Sequence, residues 1–326
     1  MNSEREGEAV VYSEEMRIIS GRASVDLSRA ICEYLQTDPG HATISNFSDG
    51  EIRCQIAENI RGKDVFIINS TCPPVNRNIM ELLILIDAAK RASAARVTAV
   101  LPYFGYARQE RKDRPRVPIT AKLVCNLLVA SGATRVLALD LHSGQIQGFF
   151  DIPVDHLSGE VVFAKLLSDG GFQGEDTVVV SPDTGSVKRA REVANRIDAS
   201  LAIVDKRRPN PNMAEVMNVI GDVDGKQAVL FDDLVDTAGT LCNAAQAVKA
   251  RGASKVIACC THPVLSGDAV KRVQESPIEE MWVSDSIPLH DKAAACGKVK
   301  VLTFAPSLGE AIRRIHCEES LSTLFT

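Results

Sequence analysis

Asp232, Asp233 and Asp236 place three carboxylates within five residues, directly after the apolar run Val229-Leu230-Phe231 and directly before Thr237-Ala238-Gly239-Thr240. Such a stretch offers two kinds of ligand contact. Small residues let backbone N–H groups close on a phosphate, and the start of the following helix-like segment, LCNAAQAVKARG, adds partial positive charge. Thr237 and Thr240 add hydroxyls. The acids repel phosphate, so they suit another partner: ribose hydroxyls, or a hard divalent cation that takes oxygen ligands. The plain alternative, an Asp capping the next helix, uses one acid and leaves the others unexplained.

Five further stretches carry chemistry where strands end. FSDGEIRCQI spaces Phe47, Asp49 and Glu51 at alternate positions, which share one face if extended, although Asp-Gly also reads as a hairpin turn. PYFGYARQERKDRPRVPIT holds Arg108, Arg111, Lys112, Arg114 and Arg116 in nine residues. It is either a solvated basic loop or a mobile lid for polyphosphate. ALDLHSGQIQGFF ends a strand with Asp140 and His142, where a metal or phosphate contact is reasonable. Asp183-Thr184-Gly185-Ser186 joins a strand to a helix and makes an anion nest. Lys206, Arg207 and Arg208 end another strand, with arginine forks that suit phosphate oxygens. The sequence has no Walker A pattern, no Gly-rich kinase loop, and no evident Ser-His-Asp or Cys-His arrangement. Several phosphate cradles, few bases and many acids fit phosphoryl-type chemistry, which runs on positioning and charge neutralisation.

Apolar strand-like runs alternate with helix-period segments to position these groups. The runs are Met16–Ile19, Val65–Ile68, Val97–Leu101, Val136–Leu139, Val178–Val180, Ala202–Val204, Ala228–Phe231, Val256–Cys260, Met281–Val283 and Val299–Phe304. Helices are expected over Met80–Ala92 and Ile119–Ala130, the second with Leu123, Val124, Leu127 and Leu128 as one apolar stripe. This alternation predicts an α/β fold of mostly parallel sheets flanked by helices. At 326 residues two such units are expected, divided between Pro153 and Gly174.

A net charge of −5 argues against general nucleic-acid binding. Nine cysteines without a CxxC pair read as reduced thiols in a cytoplasmic protein. No apolar run reaches transmembrane length, so no membrane partner is expected. The acidic start reads as a short flexible extension over residues 1–15, without a signal peptide.

FDDLVDTAGT closely resembles the phosphoribosyl-pyrophosphate-binding loop of the type I phosphoribosyltransferase fold. FSDGEI, YARQERKDRPRVPITAK, DLHSGQIQGFFDIPVDHL, VVSPDTGSVKRA and VDKRRPNPN then occur in the order seen in ribose-phosphate pyrophosphokinases. The likeness runs from about Ile18 to Phe325. It implies two phosphoribosyltransferase-like domains, at 16–160 and 161–305, with a C-terminal helix and tail at 306–326 packing back on the first. It implies transfer of the diphosphoryl group of ATP to the anomeric hydroxyl of ribose 5-phosphate, giving AMP and phosphoribosyl pyrophosphate, with Mg²⁺. It also implies a dimer-based homo-oligomer, usually a hexamer, with a shared active site.

Carried over by motif, Asp232, Asp233, Asp236, Thr237, Ala238, Gly239 and Thr240 hold ribose 5-phosphate. His142 and Asp183 serve Mg²⁺, and His142 also belongs to the ATP set with Arg108 and Gln109. Phe47, Asp49 and Glu51 contact adenine from a neighbouring subunit. Lys206 and Arg208 stabilise the transferring group, with Arg111, Lys112 and Arg116 on a closing loop. Ser320, Ser322 and Phe325 resemble part of a regulatory phosphate site. The chain departs from the family at Ser186, where many members have a second glycine whose backbone freedom Ser lacks. It departs again at Gly144 (often Ser) and His156 (often Asn). Two other functions share the Asp-rich loop: a phosphoribosyltransferase that joins phosphoribosyl pyrophosphate to a base, and an inactive regulatory homologue of a synthetase. The basic loop and FSDGEI weigh against the first; the uninterrupted loop, His142, Lys206 and Arg208 weigh against the second.

Overall fold

The structure, a computed structural model, describes residues 15–207 and 216–324. Among them the chain forms two compact units. The first comprises most residues up to Ala138, then Gln145–Asp155 and Leu308–Leu321; the second comprises Leu139–Gly144, His156–Ser307 and the last residues.

The first unit is built on β1 (Met16–Ser20), α1 (Val25–Leu35), β2 (Ala42–Asn46), β3 (Ile52–Ile56), β4 (Asp64–Ile68), α2 (Val75–Arg91), β5 (Arg96–Leu101), α3 (Thr120–Ser131) and β6 (Arg135–Leu139), followed by β7 (Val154–Leu157). The sheet order is β1-β4-β5-β6-β7, and the β1/β4, β4/β5 and β5/β6 pairs are parallel. β4 is buried along its whole length, as expected of a strand covered on both faces. The expected apolar stripe of α3 is narrower than its sequence suggests. Val124 and Leu128 are buried, whereas Leu123 and Leu127 are exposed, because neighbouring positions lie about 100° apart around a helix and only one pair can face the sheet.

The second unit holds α4 (Gly159–Asp169), β8 (Thr177–Ser181), α5 (Val187–Arg196), β9 (Ser200–Arg207), β10 (Val216–Ile220), β11 (Gln227–Val235), α6 (Gly239–Ala250), β12 (Lys255–Pro263), α7 (Ala269–Glu275), β13 (Glu280–Ser284), α8 (Asp291–Ala294) and β14 (Val299–Leu302); α9 (Ala305–His316) follows. Its sheet order is β10-β9-β8-β11-β12-β13-β14. From β8 the chain builds outward through β9 to β10; from β11 it builds outward the other way. The order therefore reverses between β8 and β11. In open parallel sheets the carboxyl ends at such a reversal leave a crevice where ligands bind. Successive side chains of β11 go to opposite faces: Leu230 packs with Val178, Val180 and Ala245, while Phe231 meets the Phe163 ring edge-on at 5.6 Å.

All nine cysteines are free thiols, and no helix among the described residues is long and apolar enough to cross a membrane.

His156 is one of the family departures, and its role here is visible. Its Nε2 accepts a hydrogen bond from the Leu141 amide at 2.8 Å, so the ring must be unprotonated at that nitrogen. Burial, then the Arg189 charge, lowers its pKa to about 4. The unfolded-chain value is about 6.5, so the neutral ring contributes stability that is complete above about pH 6.5 and is lost as pH falls toward 4. Denaturant unfolding between pH 7 and pH 5 should show a slope that His156→Gln, which keeps an acceptor without a titration, reduces by up to about 1.4 kcal/mol per pH unit. An identical slope in the variant would remove this assignment.

Candidate active site

β11 runs further than its apolar run suggests. Ladder pairing with β12 continues through Asp232 to Leu234 and Val235, so Asp232 and Asp233 stand on the strand itself and only Asp236 begins the turn. Pairing with β8 on the other side ends at Leu230, and the end of β11 overhangs β8 at the crevice.

Neither Asp233 nor Asp236 caps α6. The cap residue is Ala238, in the left-handed region at φ 59°, with no side-chain cap bond. Asp236 instead accepts from Ser266 Oγ and from the Ser266 amide at 2.9 Å through its carbonyl, and Arg272 Nη1 donates to the Thr237 carbonyl at 2.7 Å. The turn is thus held from its outer side, and the amides that open α6 are not taken by a capping side chain.

Asp233 is nearly buried, and its Oδ2 lies 2.8 Å from His142 Nδ1. The two residues share no sequence neighbourhood; the fold alone joins them. Burial opposes ionisation of Asp233, but the His142 hydrogen bond and the Arg189 charge outweigh it and hold its pKa low. Asp232 is pushed the other way, by burial first and then by the Asp233 charge. The adjacent carboxyls titrate as a pair, with the negative charge concentrated on Asp233.

Ser186 precedes α5 with φ −91° and ψ 3°. That is ordinary backbone for any residue, so the second glycine of the family is not required here. The hydroxyl that replaces it donates to Asp232 Oδ1 at 2.7 Å, tying the turn after β8 to the acids of β11. Asp183 Oδ1 accepts from the Gly185 and Ser186 amides at 2.8 and 3.0 Å. The nest expected for an external anion is engaged by the turn's own carboxylate.

Sequence reasoning missed Arg189 on α5. Its Nη1 bonds Asp140 Oδ1 and Glu160 Oε1, and its Nη2 bonds the carbonyls of Leu141 and His142. It sits in the charge run VKRAREVANR, where nothing in the sequence separates one basic residue from the next. Asp140 itself has φ 47°, a strained backbone held by this contact and by Thr261 Oγ1, which donates to Asp140 Oδ2 at 2.5 Å.

In the first unit, Phe47, Asp49 and Glu51 do not form an extended face. They are the loop of the β2–β3 hairpin, with Gly50 at φ 97° and the Glu51 amide donating to Asp49 Oδ1 at 3.0 Å. Phe47 is half exposed. Gln109 accepts from Thr120 Oγ1 at 2.6 Å, so its side chain is anchored to the start of α3. Arg108, Arg111, Lys112 and Arg116 lie exposed on the preceding loop, where Arg111 pairs loosely with Glu110 at 3.5 Å. Lys206 occupies β9 opposite Met217. Arg208 and Phe325 lie outside the described residues. The Ser320 carbonyl accepts from Arg314 at 2.9 Å, and Ser322 opens a short 3₁₀ turn, Ser322–Leu324.

Residues 16–132 match the model for the N-terminal domain of ribose phosphate pyrophosphokinase, and residues 205–326 match the phosphoribosyl synthetase-associated domain. A ribose-phosphate pyrophosphokinase of Caldanaerobacter subterraneus subsp. tengcongensis is 54% identical over 97% of this chain and 99% of its own. One of Thermosipho africanus is 53% identical over the same shares. The crystal structure of phosphoribosylpyrophosphate synthetase from Mycobacterium smegmatis superposes with a TM-score of 0.88 at 38% identity, covering 94% of this chain and all of that one.

Proposed function

Because this chain belongs to the ribose-phosphate pyrophosphokinase family, we propose that it transfers the diphosphoryl group of ATP to ribose 5-phosphate through the site on β11 and its neighbouring turns. The anomeric hydroxyl attacks the β-phosphorus. The bond from the anomeric oxygen to Pβ forms as the bond from Pβ to the bridging oxygen of AMP breaks, and the hydroxyl proton passes to water. No enzyme nucleophile is needed, so catalysis rests on positioning and charge.

The observation that carries the proposal is the junction at the end of β11, where a half-buried and a buried carboxyl, Asp232 and Asp233, are followed by the uncapped start of α6. Asp232 and Asp233 accept from the sugar hydroxyls. Asp236 shapes the turn from Thr237 to Thr240, whose amides and hydroxyls take the 5-phosphate. Arg108, Gln109 and His142 hold ATP with Phe47, Asp49 and Glu51. Lys206, Arg208, Lys112 and Arg116 neutralise the charge on the transferring group. Ser320, Ser322 and Phe325 would contribute to a regulatory phosphate site.

Mg²⁺ fits the donor chemistry. It keeps several waters and binds through one or two carboxylates plus substrate phosphates, and among the described residues no three metal-binding side chains converge into a cage. Asp183 and His142 would hold it beside Asp232, whose charged form burial and Asp233 oppose. When bound it supplies neutralisation of phosphoryl oxygens.

AMP formation from ATP plus ribose 5-phosphate tests the reading. It should require both substrates and stop when Mg²⁺ is chelated. Product formation only with a purine or pyrimidine base and phosphoribosyl pyrophosphate would point to a phosphoribosyltransferase, and inactivity in both assays to a regulatory homologue.

A cytoplasmic homo-oligomer, dimer-based and hexameric, belongs to the proposed function, with Phe47, Asp49 and Glu51 reaching a neighbouring copy's site. Phe47 is half exposed at its hairpin tip, a placement that suits stacking on a base outside its own unit. Mixing inactive Phe47→Ala and Lys206→Ala proteins under subunit exchange should then restore activity, since some sites receive neither lesion. Exchange verified by mass spectrometry without recovery would sink the shared site.

A further inference from the structure

The Arg189 guanidinium has five N–H donors, and the fold gives four of them a protein acceptor. Nη1 serves the carboxylates of Asp140 and Glu160, and Nη2 serves the carbonyls of Leu141 and His142. Nε lies 4.0 Å from Asp233 Oδ1, an ion-pair contact beyond hydrogen-bond distance. Its side chain is 16% exposed. A cation so placed beside a phosphate-binding site would ordinarily be read as a phosphate ligand, but four of its five donors are taken by the protein.

What it grips is informative. One hand holds the 140–142 backbone, where Asp140 is kept at φ 47° and His142 follows two residues on. The remaining edge faces Asp233, whose other oxygen meets His142. Resting on the function proposed above, we infer that Arg189 is a positioning residue that fixes His142 and Asp233 relative to one another, and that it makes no contact with either substrate. A planar fork can hold two adjacent carbonyls and two carboxylates together; a lysine ammonium, a single point charge with three donors, cannot.

Arg189→Lys is therefore expected to keep the cation and lose the geometry. Turnover in AMP formation should fall by about 10- to 100-fold, the usual effect of losing a group that orients a site, while KM for ATP stays within about twofold. Arg189→Ala should regain part of its turnover on addition of guanidinium ion, which fits the vacated fork, and the wild-type protein should not respond. Arg189→Lys with turnover near wild type would overturn the proposal. So would a rise in KM for ATP with turnover retained, which would make Arg189 a substrate ligand.

Folding can be separated from positioning with the charge-balanced pair Arg189→Met with Asp140→Asn, which removes one buried cation and one buried anion together. If that double variant melts like the wild type and is as active, Arg189 only balances charge and the inference is wrong; slow turnover in a normally melting double variant supports it. The wild-type protein runs in the same assay. Its inactivity would overturn the proposed function itself, whereas an active wild type beside an unaffected Arg189→Lys would overturn the positioning role alone.

Discussion

Replacing Lys206 with alanine should lower turnover by roughly 10²–10³-fold, the range found when a group that stabilises developing charge is removed. KM for both substrates stays within about threefold, because an interaction made mostly in the transition state contributes little to ground-state binding. Steady-state kinetics at saturating Mg²⁺ checks this. The motivation is the position of Lys206 near the carboxyl end of β9, one strand from β8 and two from β11 in the sheet. A variant with full turnover and weakened substrate affinity would make Lys206 a ground-state phosphate binder.

Asp233→Asn should have the second largest effect, and it should fall on the sugar. The amide keeps the shape of the carboxyl but loses the charge that faces both His142 and Arg189 and that, on the function proposed above, accepts from ribose hydroxyls. A hydrogen bond to a charged group contributes about 1.5–3 kcal/mol, which corresponds to a rise of roughly 10- to 150-fold in KM for ribose 5-phosphate. Binding of ATP, followed by equilibrium titration without the sugar, changes far less. Equal weakening of both substrates would mean that Asp233 acts through the general shape of the site.

The strands that carry the site were legible because a buried parallel strand is an unbroken apolar run. Val178–Val180 and Ala228–Phe231 mark β8 and β11 for that reason. Their ends were not legible. Asp232 and Asp233 break the apolar run although β11 continues under them, since the ladder with β12 depends on backbone and not on side-chain polarity. β7 was missed because Val154–Leu157 is half-buried and polar at Asp155 and His156. The likeness of short motifs supplied most candidate residues one stretch at a time. It could not join them: the contacts of His142 with Asp233, and of Ser186 with Asp232, bring together residues 91 and 46 positions apart. Arg189 was invisible for a related reason, as its partners come from three separate segments. The question at Ser186 was instead one of backbone. Glycine in the relatives suggested a conformation forbidden to other residues, and the turn does not use it.

The overhang of β11 beyond Leu230 has a second consequence, for solubility. A strand whose ladder stops on one side presents unpaired backbone groups, and such an edge is a template for adding a strand from another molecule. Natural proteins blunt edges of this kind with charge. Here the blunting group is the Asp232 carboxyl, whose Oδ1 accepts from the Asp233 amide at 2.9 Å and from Ser186 Oγ at 2.7 Å on the side that β8 leaves. On the function proposed above, Asp232 would thus serve the sugar and the sheet edge together, so that Asp232→Ala would expose the chain to self-association as well as weaken sugar binding.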